Sequence, residues 1–260
     1  MQQLITSEKI TKSFGLGTEK RNVLDGISVD IRQGEFVAVM GPSGSGKSTL
    51  LYALSGMDSV DSGTVTFDGA NLSALKENEL ADLRRTKMGF VFQQPTLLKN
   101  LNILDNIILP SMRDGLARTA GRKNGAHLVA KARTLMETTG IAELENRDIT
   151  QASGGQLQRV GICRALMGDP KIIFGDEPTG ALNSTAANEI MALLAQIHRT
   201  GVTILLVTHD VKVAAKTGRV LFILDGQIAG EYLPGVYDET RDDLKAREES
   251  LTAWLAGMNF

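Results

Sequence analysis

The stretch that decides the fold begins at residue 41 and reads Gly41-Pro42-Ser43-Gly44-Ser45-Gly46-Lys47-Ser48-Thr49. It matches the pattern G-x-x-x-x-G-K-[ST] and directly follows the apolar run Phe36–Met40, which predicts a buried strand. The apolar spacing of the next residues predicts a helix that begins at Lys47 and stops at Gly56. A glycine-rich loop between a strand and a helix is typical of a phosphate-binding site in an α/β fold.

The residue types of this loop suit the binding of a nucleotide's phosphates. Glycines let backbone N–H groups close around phosphate oxygens, and the helix N-terminus adds a favourable dipole. The Lys47 ammonium can lie against the β- and γ-phosphates, and the Ser48 hydroxyl can bind Mg²⁺. We therefore predict that the phosphate site consists of Gly41, Ser43, Gly44, Ser45, Gly46, Lys47, Ser48 and Thr49.

Two adjacent carboxylates end another apolar run. Asp176 and Glu177 follow Ile172-Ile173-Phe174-Gly175, so they stand at a predicted strand end, where ligands bind in α/β sheets. We predict that Asp176 holds Mg²⁺ and that Glu177 accepts a proton from the attacking water or orients it. Two acids in a solvated turn would look the same, so this prediction depends on the phosphate loop.

Composition narrows the class of protein. The chain has 260 residues, of which 42% are hydrophobic and 22% charged, as in an ordinary globular protein. Its net charge of −2 gives the chain no overall positive potential that would attract nucleic acid or an anionic membrane. Cys163 is the single cysteine, so no internal disulfide or thiolate metal cluster is expected. The longest apolar runs have strand length, and the charged N-terminus shows no secretion signal, so we expect a cytosolic chain.

The remaining pattern predicts an α/β core interrupted by a helical insert. Apolar runs predict strands over residues 3–10, 23–31, 35–40, 64–67, 88–92, 171–174, 202–207 and 219–224. Between Thr96 and Gly168 the pattern becomes helical, with amphipathic helices expected over 124–139 and 156–167. Hairpin turns are expected at Asp68-Gly69 and Asp225-Gly226.

The last thirty residues are polar, with apolar side chains near helical spacing at Leu244, Leu251, Trp254, Leu255 and Met258. This spacing predicts a helix that folds back onto the core. A membrane-binding helix is the alternative interpretation.

A segment before the acidic pair indicates the family. It reads Ser153-Gly154-Gly155-Gln156, followed by Leu157-Gln158-Arg159-Val160. It resembles the signature LSGGQ-x-x-R-V of the ATP-binding-cassette (ABC) ATPases, although Ala152 stands where the family usually has leucine. The resemblance implies that Ser153, Gly154, Gly155 and Gln156 cap the γ-phosphate of an ATP bound by a partner subunit, and a helix N-terminus suits an anion. SGGQ alone could be a linker turn.

The resemblance covers nearly the whole chain and implies its architecture. The expected fold class is α/β, a P-loop NTPase core over residues 1–230 with an antiparallel β subdomain. A helical subdomain is expected at about residues 94–169 within that core. A C-terminal extension that is expected to be helical then covers residues 231–260.

Three further residues match family elements in the expected order. Gln93 resembles the Q-loop glutamine that contacts Mg²⁺, with Gln94 as the alternative. His209 resembles the switch histidine that reaches the γ-phosphate, although a histidine after a strand is often structural. Phe14 resembles the aromatic residue that stacks on adenine, with a core phenylalanine as the alternative.

One position departs from the family pattern. Ala181-Leu182-Asn183 ends in asparagine where the family usually has aspartate, which removes a charge. We expect this change to affect coupling between subunits rather than nucleotide binding. Because Glu177 is intact, we predict a competent Mg²⁺-dependent ATPase in which Lys47, Glu177 and His209 are catalytic and Ser48, Gln93 and Asp176 are nearest the metal.

The chain has one phosphate loop and one signature, so the resemblance implies a homodimer around two ATP molecules. It also implies a separate membrane permease, with this subunit peripheral at the cytoplasmic face of the membrane. Residues 97–110 are similar to L-x-N-L-x-x-x-E-N-V-x-L-P of the branch for lipoprotein release, macrolide export and bacitracin-type peptide resistance, with matches at Asn106 and Pro110. A generic amphipathic helix opened by Asn102 or Asp105 and ended by Pro110 is the alternative.

The branch implies export of, or resistance to, antimicrobial peptides, or export of lipoproteins and lipids. A cell-division ATPase that signals through a permease-like partner without cargo is a second hypothesis. A non-transport ABC protein is the third, but the chain lacks a second cassette and an evident DNA-binding insertion. With its net charge of −2, we expect no nucleic-acid partner.

Overall fold

A computed structural model describes residues 2–15, 20–112, 123–241 and 243–258, with residues 123 and 124 described by their backbone only. The chain divides into two compact units. The first unit comprises Met1–Leu80 and His198–Phe260, and the second unit comprises Ala81–Ile197.

The strands of the described residues are β1 (Gln3–Phe14), β2 (Arg21–Arg32), β3 (Phe36–Met40), β4 (Ser62–Phe67), β5 (Ala70–Asn71), β6 (Met88–Phe92), β7 (Ile172–Asp176), β8 (Thr203–Val207), β9 (Arg219–Leu224) and β10 (Gln227–Tyr232). The α-helices are α1 (Lys47–Leu54), α2 (Glu77–Lys87), α3 (Ile103–Ile108), α4 (Lys123–Thr138), α5 (Gly154–Leu166), α6 (Ser184–Arg199), α7 (Val211–Ala214) and α8 (Leu244–Ala256). Short 3₁₀ turns lie at Leu72–Ala74, Leu109–Ser111, Ala142–Leu144 and Ile149–Gln151.

The first unit contains the expected antiparallel subdomain, a sheet in the order β2-β1-β4-β5. Both predicted hairpin turns are present: Asp68-Gly69 joins β4 to β5, and Asp225-Gly226 joins β9 to β10. Both residues of each turn have positive φ: 50° at Asp68 and 82° at Gly69, and 46° at Asp225 and 76° at Gly226. Positive φ at both central positions is the type I′ geometry, which matches the twist of paired strands.

The first unit also contains parallel strands that support the phosphate loop. β3 pairs in parallel with β8 on one side and β9 on the other, and β9 pairs antiparallel with β10. Every residue of β3 and β8 is buried, as continuous apolar runs in parallel sheets require. The predicted bounds of β9 agree with the structure, and those of β3 and β8 differ by one residue.

The second unit contains the parallel pair β6 and β7 and the predicted helical insert. Helices α3, α4 and α5 share an apolar core that includes Ile103, Ile107, Met136 and Cys163. Burial raises the pKa of the Cys163 thiol to about 11, although the Thr139 hydroxyl lies 3.1 Å from its sulfur. Cys163 is therefore a neutral core residue at physiological pH.

The C-terminal segment folds back onto the first unit, as predicted. Leu251 and Leu255 of α8 are buried, and the Trp254 ring lies edge-on to Phe222 at 6.2 Å between centroids. The Arg247 guanidinium donates to the carbonyls of Ala215, Pro234, Thr217 and Gly235. Strand β10 continues to Tyr232, two residues beyond the predicted end of the core. No helix among the described ranges has both the length and the apolarity to cross a membrane.

Candidate functional site

The phosphate loop of the first unit has a backbone path that requires glycine. Gly41 has φ 151°, and a Cβ built on it would lie 2.1 Å from the Ile223 carbonyl oxygen. Gly46 has φ 104°, and its Cβ would lie 2.6 Å from the Val23 carbonyl oxygen. Neither distance is possible for a real Cβ, so any larger residue would displace the loop between β3 and α1.

The polar side chains of this loop suit a phosphate. The Lys47 Nζ donates to the carbonyls of Gly41 at 2.9 Å and Pro42 at 2.8 Å, which holds a buried ammonium inside the loop. The Ser45 hydroxyl is buried and has no hydrogen-bond partner within the described part of the chain. Buried polar atoms normally have a partner, so this hydroxyl fits a ligand that accepts or donates there. Ser48 and Thr49 are half-buried in the first turn of α1.

His209 stands at the same end of the parallel strands as the phosphate loop. Val39 of β3 pairs with Val207 of β8, and the Thr208 N–H donates to the Val39 carbonyl at 3.1 Å. The next residue, His209, is exposed, and Asp210 then caps α7 by accepting from the Lys212 N–H. Because parallel strands end at the same edge, His209 and the loop belong to one side of the first unit.

Phe14 ends β1 on the surface of the first unit. Its side chain is 49% exposed, so the interpretation as a core phenylalanine is wrong. The buried Lys12 places its ammonium 5.4 Å from the centre of the Phe14 ring. That ammonium is held by Asp58 at 2.7 Å and by the Ser59 carbonyl at 2.6 Å. The exposed aromatic ring can therefore stack on a planar ligand.

The acidic pair and Gln93 come together within the second unit. Phe92 at the end of β6 pairs with Asp176 at the end of β7, which places Gln93 next to the acids. A Cβ built on Gly180 would lie 2.9 Å from Gln93 Nε2 and 3.1 Å from Glu177 Oε2. Gly180 thus lies beside the ends of both side chains, and a larger residue there would have to displace them. The structure records this approach for Gln93, not for the alternative Gln94.

Glu177 has an uncommon backbone conformation. Its φ is 48°, a left-handed value that costs energy in a residue with a Cβ. Such strain is concentrated at functional sites, where the surrounding structure imposes it. Here the strained residue follows directly after the last residue of β7, Asp176.

The predicted signature opens helix α5 with a capping box. Ser153 is the N-cap, and its hydroxyl accepts from the Gln156 N–H at 3.3 Å. The Gln156 side-chain oxygen in turn accepts from the Ser153 N–H at 2.9 Å. A pocket of about 300 Å³ adjoins this helix start, and it is also lined by Arg159, Asn183 and Glu189.

Asn183 caps the neighbouring helix α6. Its side-chain oxygen accepts from the Ala186 N–H at 2.9 Å, and its carbonyl accepts from the Ala187 N–H at 2.9 Å. Aspartate is an equally good N-cap, so the change from aspartate leaves this local structure possible and removes only the negative charge.

The segment after Gln93 is shaped by one buried amide. Asn106 is 2% exposed, accepts from the Leu98 N–H at 2.7 Å and donates to the carbonyls of Leu98, Leu101 and Asn102. Asn102 caps α3 by accepting from the Asp105 N–H, so a helix opens there, and it ends at Ile108, before Pro110. Asn106 also fixes the loop that exposes Leu98, a role beyond that of a generic helix.

Comparison with known proteins settles the family. The model of the ABC transporter family matches residues 24–180, a range that includes the phosphate loop, the signature and the acidic pair. The chain belongs to the ABC transporter family. It is an ATP-binding domain with the P-loop fold of that family.

Two relatives and one solved structure show how far the similarity extends. The bacitracin export ATP-binding protein BceA of Halalkalibacterium halodurans is 39% identical over 92% of this chain and 91% of its own length. The macrolide export protein MacB of Hyphomonas neptunium is 42% identical over 88% of this chain, which spans only 34% of MacB. The dimeric structure of the ABC transporter cassette MJ0796 is 36% identical with a TM-score of 0.81, covering 90% of this chain and all of that one.

Proposed function

We propose that this chain hydrolyses ATP as the cassette subunit of a membrane exporter, with two copies enclosing two ATP molecules. The observation that carries the proposal is that the side-chain ends of Glu177 and Gln93 both lie next to Gly180, close to the end of β7. A carboxylate beside an amide is suited to orient a water molecule and accept its proton.

The first unit would bind the nucleotide. Backbone N–H groups of residues 43–49 would surround the β- and γ-phosphates, and the Lys47 ammonium would exchange the Gly41 and Pro42 carbonyls for phosphate oxygens. The exposed Phe14 ring would stack on adenine. His209, at the loop's end of the strands, would donate to the γ-phosphate as charge develops.

The second unit would supply the reaction's base, Glu177, and two of the three metal ligands, Gln93 and Asp176. Glu177 would take the proton of the attacking water while Gln93 orients that water. Ser48, Gln93 and Asp176 would hold Mg²⁺, which would neutralise charge on the phosphates when bound. The described residues contain no cluster of three or more His, Cys, Asp or Glu side chains suited to a metal. A hydroxyl, an amide and one carboxylate fit a hard ion that keeps several waters.

The signature would complete the site of a second copy. Ser153, Gly154, Gly155 and Gln156 form an exposed or half-exposed helix start, which is suited to a phosphate. A closed two-fold dimer would then use the same two surfaces twice. The solved dimeric cassette supports this arrangement.

The proposed task is export through a separate permease, at the cytoplasmic face of the membrane. BceA and MacB are named for bacitracin export and macrolide export, and BceA has nearly the same length as this chain. The loop that Asn106 holds in place, with Leu98 47% exposed, would contact the permease.

ATP turnover by the purified chain tests the proposal. Because each site needs two copies, turnover per molecule is expected to rise with protein concentration until the dimer is saturated. Phosphate release is measured across a range of protein concentrations with Mg²⁺ and ATP. The proposal would be contradicted if no ATP were turned over. It would also be contradicted if the rate per molecule did not depend on protein concentration down to the nanomolar range.

A further inference from the structure

One side chain of helix α5 reaches the end of strand β6. Gln158 is 1% exposed, and its Nε2 donates to the Phe92 carbonyl at 2.9 Å across a sequence separation of 66 residues. Gln158 lies two residues beyond Gln156, within the first turns of the signature helix. Neither the nucleotide chemistry nor the dimer contacts proposed above use this residue.

Two further contacts lie on the same face of α5. A Cβ built on Gly161 would lie 3.7 Å from the Pro95 Cβ, and the Arg164 guanidinium donates to the Thr96 carbonyl at 2.6 Å. Positions 158, 161 and 164 recur every three residues, so they share one face of the helix. Burial lowers the pKa of Arg164, yet arginine stays charged, so this hydrogen bond is charge-assisted.

The residues that α5 contacts flank the Gln93 position. Phe92 precedes Gln93, and Pro95 and Thr96 follow it closely. Gln93 itself approaches Glu177 across Gly180. At the other end of the connection, Ser153 stands five residues before Gln158, about 7.5 Å along the helix axis. The buried Gln158 side chain therefore connects the helix that begins at the signature to the residue directly before Gln93.

We propose that Gln158 is a positioning residue that ties the signature to Gln93 through the Phe92 carbonyl. When Gln93 engages the nucleotide of its own copy, Gln158 holds α5 in the orientation in which Ser153 meets the ATP of the second copy. This inference rests on the proposed function and adds the residue that links the two nucleotide contacts of one chain.

The test uses the chain with Glu177→Gln as parent, because that variant is expected to keep ATP and to form a stable dimer. Gln158→Met removes the donor but keeps a long side chain of similar volume. Leaving a buried carbonyl without its donor is expected to weaken the ATP-dependent dimer about tenfold or more. The dimer dissociation constant is measured by sedimentation with ATP, and ADP affinity and the thermal unfolding midpoint are measured on the same samples.

Two variants separate positioning from packing. Gln158→Lys restores an N–H donor, so its dimer is expected to be tighter than that of Gln158→Met. If Gln158 served only for packing, the methionine variant would form the tighter dimer, because a buried ammonium packs poorly. Gln196→Met makes the same change on the exposed face of α6 and is expected to leave dimer formation unaltered. Should Gln158→Met be too unstable to assay, Gln158→Leu replaces it, since it also removes the donor to the Phe92 carbonyl.

The expected result is a weaker dimer with ADP affinity and unfolding midpoint close to those of the parent. A Gln158→Met dimer as tight as the parent's, or a lysine variant no better than methionine, would overturn the inference. For Gln158→Leu, a weakened dimer supports the inference and an unchanged dimer overturns it. Failure of the Glu177→Gln parent itself to dimerise would instead count against the proposed function.

Discussion

Glu177→Gln is expected to abolish ATP turnover while ATP remains bound. Glutamine has the size of glutamate and keeps an oxygen near Gln93, but at neutral pH it accepts no proton from the attacking water. General-base catalysis typically contributes about 10²–10⁴ in rate, and a loss of that size is expected in phosphate release. Because the proposed dimer encloses ATP and this variant does not hydrolyse it, the variant is expected to accumulate as an ATP-bound dimer.

Glu143→Gln is the matched control for this variant. Glu143 is exposed in the 3₁₀ turn Ala142–Leu144, so its neutralisation makes the same change in net charge away from the acidic pair. Its turnover is expected to equal that of the unmodified chain. A Glu177→Gln chain that retains turnover within about tenfold of the unmodified chain would remove Glu177 from the role of base.

Lys47→Met is expected to eliminate ATP binding. The Lys47 ammonium is buried and makes two hydrogen bonds to carbonyls inside the loop, which a phosphate would replace with charge-assisted bonds. Methionine fills similar space without charge or donors. Losing two charge-assisted hydrogen bonds predicts at least about a 100-fold rise in the dissociation constant for ATP, measured by calorimetry.

Lys245→Met controls for the loss of one positive charge. The Lys245 side chain is 89% exposed on α8, so its removal is expected to leave ATP affinity unchanged. An ATP affinity for Lys47→Met close to that of this control would mean that the loop does not hold the phosphates. The unfolding midpoint of each variant shows whether either substitution alters the fold.

Much of the fold could be predicted because buried strands here are continuous apolar runs. The bounds of β6 and β9 agree with the structure, and α5 starts only two residues before its predicted start. Helix α2 was missed because none of its residues is buried, which leaves no apolar stripe to detect. Helix α6 was also missed, although Ile190, Leu194 and Ile197 do form such a stripe after the Asn183 cap.

The candidate site could be predicted only where its residues are local in sequence. The phosphate loop and the capping box of Ser153 are set by residues within a few positions of each other, so a short pattern indicates them. The Gln158 bond to Phe92 joins residues 66 apart, and the Lys12 bond to Asp58 joins residues 46 apart. Such pairings depend on how the elements pack, and a single sequence carries no local mark of them.

Asn183 illustrates the same distinction. The sequence alone shows a missing charge, which suggests altered coupling between two copies. The structure adds that the asparagine still caps α6, so the change leaves the start of that helix intact. Whether coupling changes stays a prediction about two chains, since a single copy shows only the cap.

The central claim is that each ATP lies between the phosphate loop of one copy and the signature of the other. Cross-linking tests it directly, since the native Cys163 is buried and its pKa is raised to about 11, which makes it unreactive at neutral pH. One Glu177→Gln chain carries Ser43→Cys and a second carries Ser153→Cys, and both native positions are exposed. The two chains are mixed with a short bifunctional thiol reagent. We predict cross-links between the two different chains that form with ATP and disappear with ADP. The claim would be contradicted by cross-linking that does not depend on ATP, or by a lack of cross-links between the two chains.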